Sequence, residues 1–172
     1  IVVLAYYILP RKVRQLWLLA ASYYFYMCWN ARYALLILFS TVITFISGLL
    51  LEKIKCAPWD SHKIVVCKKL TVAMSFTLNL AVLFYFKYIN FTFNILNDIF
   101  HIIHIDLNMP AFDIVLPVGI SFYTFQALSY TMDVYRNEIY AEKNFFRYAL
   151  FVSFFPQLVA GPIERSKNLL KQ

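Results

Sequence analysis

The sequence predicts an all-α, polytopic integral membrane protein with about six apolar helical segments and one amphipathic segment at the membrane surface. Two observations support this fold class. Hydrophobic residues make up 62% and charged residues 15% of the 172 residues, whereas soluble domains average roughly 45–50% and about 25%. The apolar residues are also grouped into long runs separated by short charged clusters. We therefore expect a single membrane domain over residues 1–172.

The first three apolar runs precede residue 52. Residues 1–9 resemble the end of a span and are followed by Pro10 and the basic cluster 11–14. Residues 16–29 are apolar and aromatic, but they are short for a segment that needs about 20 residues to cross a bilayer, so this run either spans or re-enters. Residues 34–51 carry no charge and form the third apolar run.

The remaining runs are separated by more polar segments. A polar, lysine-rich loop is predicted over 52–69, followed by the fourth run at 70–86. Residues 88–113 are too polar to cross and favour an amphipathic helix at the interface. The fifth run, 114–135, is interrupted early by Pro117 and Gly119, and the sixth, 144–160, contains Pro156.

The basic clusters predict an orientation in the membrane. The segments 10–14 and 52–69 fall on the same side of the expected spans and are rich in lysine and arginine. Cytoplasmic loops carry an excess of these residues. We therefore place 10–14, 52–69 and 135–144 in the cytoplasm and 88–113 outside.

Charge and cysteine patterns weigh against several other classes. The net charge of +7 comes from clusters beside apolar runs rather than from one basic face, which argues against a nucleic-acid partner. Cys28, Cys56 and Cys67 lack metal-binding or disulfide spacing. His101 and His104 can share a helix face, but solvated histidines at the interface are the favoured interpretation, and we predict no metal site.

A polar stripe follows the fifth apolar run. Tyr123, Gln126, Tyr130 and Asp133 recur at steps of three and four residues and so share one helix face. Asp133 is also three residues before Arg136, which predicts an ion pair at the cytoplasmic end. Two interpretations stay open: the stripe lines a substrate path, or it only holds helices together.

A second motif, FFPQLVAGPIER, covers residues 154–165. Pro156 should kink or end its helix, and the pair Gly161-Pro162 should turn the chain. Gln157 lies inside this motif and Arg165 closes it. A discontinuous helix of this kind is tolerated in a membrane only where it packs against protein or lines a cavity.

These motifs carry a family resemblance. The segment LPVGISFYTFQALSYTMDVYR (116–136), followed by FFPQLVAGPIER, resembles the membrane-bound O-acyltransferase family, and most closely the bacterial branch that O-acetylates alginate. The segments FKYINF (86–91) and ASYYFYMCW (21–29) also resemble that branch. The resemblance extends along the chain as the N-terminal part of a longer protein, and we expect truncation at both ends.

The resemblance implies an activity and its partners. It implies transfer of an acyl group, usually acetyl, from a cytoplasmic donor such as acetyl-CoA or another acyl carrier. The acceptor would be a hydroxyl of an extracytoplasmic polysaccharide such as alginate. The implied setting is the lipid bilayer of the bacterial cytoplasmic membrane, with an extracytoplasmic acetyltransferase as a partner.

The resemblance also constrains the site. The catalytic histidine of the family is expected beyond Gln172, so no catalytic residue is assigned in this chain, and the fragment alone is expected to be inactive. The other polar residues would line or brace the path, with Arg136 and Arg165 facing the phosphates of the donor. The candidate path residues are Tyr123, Gln126, Asp133, Arg136, Gln157 and Arg165.

Two other classes of function fit the same broken helices. Half of a transporter or flippase would also combine discontinuous helices with buried polar residues, but it predicts an inverted repeat of the pattern, and these 172 residues contain none. A non-catalytic membrane scaffold subunit is the third interpretation.

Overall fold

The computed structural model describes residues 6–7, 9–102 and 119–160, and within them the chain is helical with no strand. This agrees with the predicted all-α class. The helices are α1 (Arg11–Trp29), α2 (Ala31–Lys55), α3 (Ser61–Ile102), α4 (Ile120–Tyr135), α5 (Phe145–Ser153) and α6 (Phe155–Ala160).

The junction between α1 and α2 is a single extended residue. Asn30 has φ −164° and ψ 125°, and its side-chain oxygen accepts a hydrogen bond of 3.0 Å from the Arg32 N–H. Such a side chain satisfies one of the free N–H groups at a helix start. At the other end of α1, Arg14 Nε donates to the Leu9 carbonyl at 2.8 Å. The basic cluster 11–14, predicted as a loop, is instead the first turn of α1.

Helix α3 differs most from the prediction. It runs without interruption through 42 residues, Ser61–Ile102, which corresponds to a length of about 63 Å. The predicted polar loop 52–69 shrinks to the linker 56–60, and the polar segment from 88 continues the same helix as far as residue 102. The physical reason is that 61–102 contains no proline or glycine, so nothing interrupts the hydrogen-bond ladder. The rest of the predicted interfacial segment, 103–113, lies outside the described residues.

Among the residues that the structure describes, two helices are long and apolar enough to cross a membrane: α2 (Ala31–Lys55) and the part of α3 over Ser61–Ile89. The six apolar segments expected from the sequence therefore stay a prediction. Helix α2 is central and packs against α1, α3, α4 and α5, while α3 contacts α2 and α4. The larger part of the α3 surface is left exposed, including Met74, Phe84 and Phe91.

Small and hydroxyl-bearing residues form the buried face of α2. Most of their hydroxyls donate back to the same helix, as Thr41 does to the Ile37 carbonyl at 2.7 Å and Ser47 to the Ile43 carbonyl at 2.8 Å. Ser40 instead donates to Asn79 Oδ1 of α3. Because these side chains are short and their hydroxyls have hydrogen-bond partners, neighbouring helices can approach closely. The buried small residues are Ser40, Thr41, Thr44, Ser47 and Gly48.

The structure describes two of the helix boundaries near which an interruption was predicted, and the one beside Pro156 is a break between two helices. Gly119, in the left-handed region with φ 73°, precedes the first residue of α4. Phe154, with ψ 103°, separates α5 from α6. Pro156 explains the second break, because it has no N–H to donate and its ring would clash with the Val152 carbonyl in a continuous helix. Pro117 and the predicted turn at Gly161-Pro162 lie outside the described residues.

Candidate functional site

A pair of tyrosines forms the centre of the buried polar network. The rings of Tyr130 on α4 and Tyr148 on α5 are fully buried with centroids 4.5 Å apart. The Tyr148 hydroxyl donates to Thr44 Oγ1 at 2.8 Å, and the Tyr130 hydroxyl accepts from the Glu142 N–H at 2.9 Å. The close approach requires Gly48, where a Cβ would lie 2.9 Å from Tyr130 Cε1. The pair therefore joins α2, α4 and α5 and holds the linker that follows α4.

The C-terminal end of α2 fixes the same linker, residues 136–144. Glu52 Oε2 accepts a hydrogen bond of 2.6 Å from the Ala141 N–H. Lys55 Nζ donates to the Val134 carbonyl at 2.9 Å, one of the last carbonyls of α4, which have no partner within the helix. Asn137 turns the chain with φ 62°, a conformation that asparagine tolerates better than most residues.

A pocket of about 320 Å³ lies between the end of α2 and this linker. Arg136 is exposed where α4 ends, next to the pocket in sequence, and Asp133 is half-buried one turn earlier. The predicted ion pair between the two stays a prediction. The pocket is lined by Glu52, Lys55, Cys56, Asn137, Glu138, Ile139 and Tyr140.

Two side chains bridge the break between α5 and α6. In a continuous helix the Phe155 N–H would donate to the Phe151 carbonyl. Instead, Gln126 Nε2 donates to the Phe151 carbonyl at 2.9 Å, and the Phe155 N–H donates to Ser22 Oγ at 3.4 Å. Gln126 Nε2 also lies 3.4 Å from Gln157 Oε1. The structure thus brings together the two predicted glutamines, and it adds Ser22 of α1 to them.

Two further buried tyrosines form a second pair. Tyr123 lies about one turn before Gln126 on α4, and Tyr26 lies on α1. Tyr123 of α4 is 1% exposed and Tyr26 of α1 is 4% exposed. Within the residues that the structure describes, neither hydroxyl has a hydrogen-bond partner. Both rings belong to the main buried cluster. An unsatisfied buried hydroxyl costs about 1–3 kcal/mol, so, within the described residues, these two tyrosines are less well stabilised than Tyr130 and Tyr148.

The polar stripe predicted on α4 is recovered as a buried face. Tyr123, Gln126 and Tyr130 are all buried, and exposure increases through Asp133 to Arg136. Arg165 lies outside the described residues.

Sequence reasoning missed the partners on the other helices. Ser22, Thr44, Gly48 and Glu52 complete the network but were not identified as site residues. One signal was available: the small residues of α2 recur at helical spacing within an otherwise large-residue run, as expected for a close helix contact.

Titratable side chains in the described ranges do not form a metal centre. Over residues 6–7, 9–102 and 119–160, no group of three or more His, Cys, Asp or Glu side chains is placed to hold a metal ion. The three cysteines are free thiols, with Cys28 and Cys56 exposed. The side chains of His101 and His104 are not among those described.

Comparison with known proteins identifies sequences that are similar over nearly the whole of this chain. It is 37% identical over 170 residues to the probable alginate O-acetylase AlgI of Pseudomonas aeruginosa and 35% identical over 167 residues to that of Azotobacter vinelandii, in each case over 97% of the chain. It is also 30% identical, over 98% of the chain, to the peptidoglycan O-acetyltransferase of Helicobacter pylori.

The chain spans about a third of the length of these curated relatives: 31% and 32% of the two alginate O-acetylases and 35% of the peptidoglycan O-acetyltransferase. No protein-family model matches the sequence. No solved structure matches it either.

Proposed function

Because the chain belongs to the membrane-bound O-acyltransferase family, we propose that it forms part of an enzyme that O-acetylates an extracytoplasmic polysaccharide. The observation that carries this proposal is the similarity, over 97% of the chain, to alginate O-acetylases. The peptidoglycan O-acetyltransferase among the relatives makes a glycan hydroxyl the shared class of acceptor, with alginate as the first candidate. An extracytoplasmic acetyltransferase is the proposed partner.

The proposed location is the bacterial cytoplasmic membrane. Helices α2 and α3 cross the bilayer, and the linker 56–60 between them faces the cytoplasm because lysines flank it on both sides. The linker 136–144 lies on the same side, since Glu52 and Lys55 at the end of α2 bind it and the end of α4. The pocket between them is then open to a cytoplasmic acyl donor, acetyl-CoA or another acyl carrier.

The proposed chemistry is attack of an acceptor hydroxyl on the carbonyl carbon of the donor. A general base must take the hydroxyl proton, a task for which neutral imidazole is suited. That base is a histidine beyond Gln172. The residues of this chain support the walls of the substrate path. Gln126 and Gln157 bridge the break between α5 and α6, and the pair Tyr130 and Tyr148 fixes the linker 136–144.

Arg136 is proposed to bind a phosphate of the donor together with Arg165. Guanidinium groups bind phosphate through two parallel hydrogen bonds, and Arg136 is exposed beside the pocket. Loss of one such charge-assisted bond weakens binding by about tenfold or more. Arg136→Ala should therefore raise the apparent KM for the donor while leaving the protein folded.

The matched control for this prediction is Lys143→Ala. Lys143 is an exposed basic residue at the other end of the same linker, so its substitution removes the same charge without removing the proposed phosphate contact. The measurement is initial-rate kinetics of the full-length protein against donor concentration. An equal change in KM for both variants would reject a specific role of Arg136.

The proposed activity as a whole is tested in cells that lack the gene. The full-length protein should restore O-acetyl esters on the polysaccharide, measured by release of acetate after mild alkali. The 172-residue chain alone should restore none, because the proposed base lies outside it. Acetyl transfer by this chain alone, or none by the full-length protein with its partner present, would contradict the proposal.

A further inference from the structure

A surface groove at the start of α3, beside the α2–α3 linker, is not used by the proposed activity. It has a volume of about 430 Å³ and is lined by Trp59, His62, Lys63, Val66 and Cys67. The four lining residues of α3 are spaced at steps of one, three and four and so form one helix face. Trp59 closes the groove from the linker and is 51% exposed.

The surroundings of the groove are strongly basic. Segment 52–69 has five lysines but only Glu52 and Asp60 as acids, and Glu52 is already engaged by the Ala141 N–H. The charges of Lys55 and Lys68 lie close enough to repel one another. Like charges held together in this way raise the local positive potential and attract an anion.

The chemistry of the lining selects among anions. Lys63 and His62 supply hydrogen-bond donors, while Val66 and the Trp59 ring supply apolar surface. A soluble phosphate would use only the donors. A phospholipid uses both, since its phosphate meets the cation and its acyl chains follow the apolar residues. Tryptophan is also enriched at the level of lipid headgroups.

The position of the groove fits the same ligand. Trp59 lies between the two candidate membrane spans, of which the first ends at Lys55 and the second begins at Ser61, and the other lining residues lie in the first two turns of the second span. The proposed membrane placement therefore puts the groove at the end of a span, where the bilayer surface lies. We infer that this groove binds the headgroup of an anionic phospholipid of the cytoplasmic leaflet. The inference rests on the membrane placement proposed above, but not on acetyl transfer.

The test uses Trp59 of the full-length protein in vesicles of phosphatidylcholine that contain a fixed fraction of a lipid with brominated acyl chains. Bromine quenches tryptophan emission at short range, and the Trp59 signal is isolated by subtracting the emission of the W59F variant. Brominated phosphatidylglycerol should quench Trp59 more strongly than brominated phosphatidylcholine. In Lys63→Ala this preference should fall about fivefold, the factor for one basic side chain at an anionic surface.

Lys143→Ala is again the matched control, because Lys143 is exposed and basic on the same proposed membrane side but remote from the groove in sequence. It should keep the phosphatidylglycerol preference. Equal quenching by the two lipids, or a preference unchanged in Lys63→Ala, would overturn the inference. Quenching by neither lipid would show that protein covers the groove, and displacement by soluble glycerol phosphate would show a phosphate site instead.

The same samples separate this inference from the proposed function. Flotation with the vesicles reports membrane insertion, and acetyl transfer reports the enzyme. If the protein floats and transfers acetyl but shows no lipid preference, only the inference that the groove binds lipid is rejected. If the protein neither floats nor transfers acetyl, the proposed membrane placement, on which both proposals rest, is rejected.

Discussion

The two tyrosine pairs of the interior are alike in burial and opposite in hydrogen bonding. Tyr130 and Tyr148 are both 0% exposed, and each hydroxyl has a partner within 3 Å. Tyr26 and Tyr123 are also buried, yet their hydroxyls have no partner in the described part of the chain. Tyr123 and Tyr130 lie two helical turns apart on the same face of α4, so one helix carries both situations.

The difference separates a rigid end of the interior from a weaker one. At the Tyr130 end, the bonds from Glu52, Lys55 and Thr44 join α2 to α4, α5 and the linker after α4. At the Tyr123 end, the side chains of Gln126 and Ser22 bridge a broken helix, and one of their bonds is 3.4 Å long. A buried polar group stabilises only when it is satisfied. We therefore expect substitutions at the two ends to differ in size and in sign.

The largest effect is expected for Tyr148→Ala. Removing a fully buried aromatic side chain costs about 3–5 kcal/mol, and the substitution also removes the contact with Tyr130. The measurement is the midpoint of thermal unfolding of the full-length protein in detergent. Tyr140→Ala is the control, because that ring is 87% exposed and its loss should leave the midpoint unchanged. Similar unfolding midpoints for both variants would contradict the claim that the Tyr130–Tyr148 pair stabilises the fold.

A smaller effect is expected for Gly48→Ala, and here the sign is informative. Helix propensity alone would stabilise by up to about 1 kcal/mol. The new Cβ, however, would meet Tyr130 Cε1 and Oη at 2.9 Å, and overpacking of this kind costs about 1–3 kcal/mol. The unfolding midpoint should fall. Ser47→Ala, the neighbouring small residue, should leave it nearly unchanged, and a rise for Gly48→Ala would contradict the close packing.

The most direct comparison uses the smallest change, tyrosine to phenylalanine at each end. Tyr130→Phe leaves the Glu142 N–H without its acceptor and should destabilise by about 1–3 kcal/mol. Tyr123→Phe removes a hydroxyl that has no partner, so it should be neutral or stabilising. Hydrogen exchange at the Glu142 amide should accelerate only in Tyr130→Phe. Equal destabilisation by both substitutions would show that the Tyr123 hydroxyl has a partner in the folded protein.

Local rules predicted the features that depend on neighbouring residues. Conformational preference and helical spacing account for the start of α4 after Gly119, the break beside Pro156 and the buried face with Tyr123, Gln126 and Tyr130. The residues that complete the site come from far away in sequence. Glu52 and Ala141 are 89 positions apart, and Ser22 and Phe155 are 133 apart. The spacing of residues within one helix cannot predict hydrogen bonds between residues so far apart in sequence.

The length of α3 was mispredicted for a different reason. The polar residues at its first end predicted a loop over 52–69, and those at its other end predicted a separate amphipathic helix at the interface over 88–113. Helix continuity is instead decided by the backbone, and no residue between 61 and 102 interrupts it. The polar ends of the helix are therefore solvated or packed without unwinding.

An unbroken α3 also has a mechanical consequence. A helix of 42 residues is about twice as long as the hydrocarbon core is thick, so the membrane placement proposed above requires that it extend beyond the bilayer. Because the helix is stiff, a tilt of about 10° at the lysine-rich end displaces the other end by about 11 Å. In that placement, movement of one end of α3 on one side of the membrane would be transmitted through the helix to the other side.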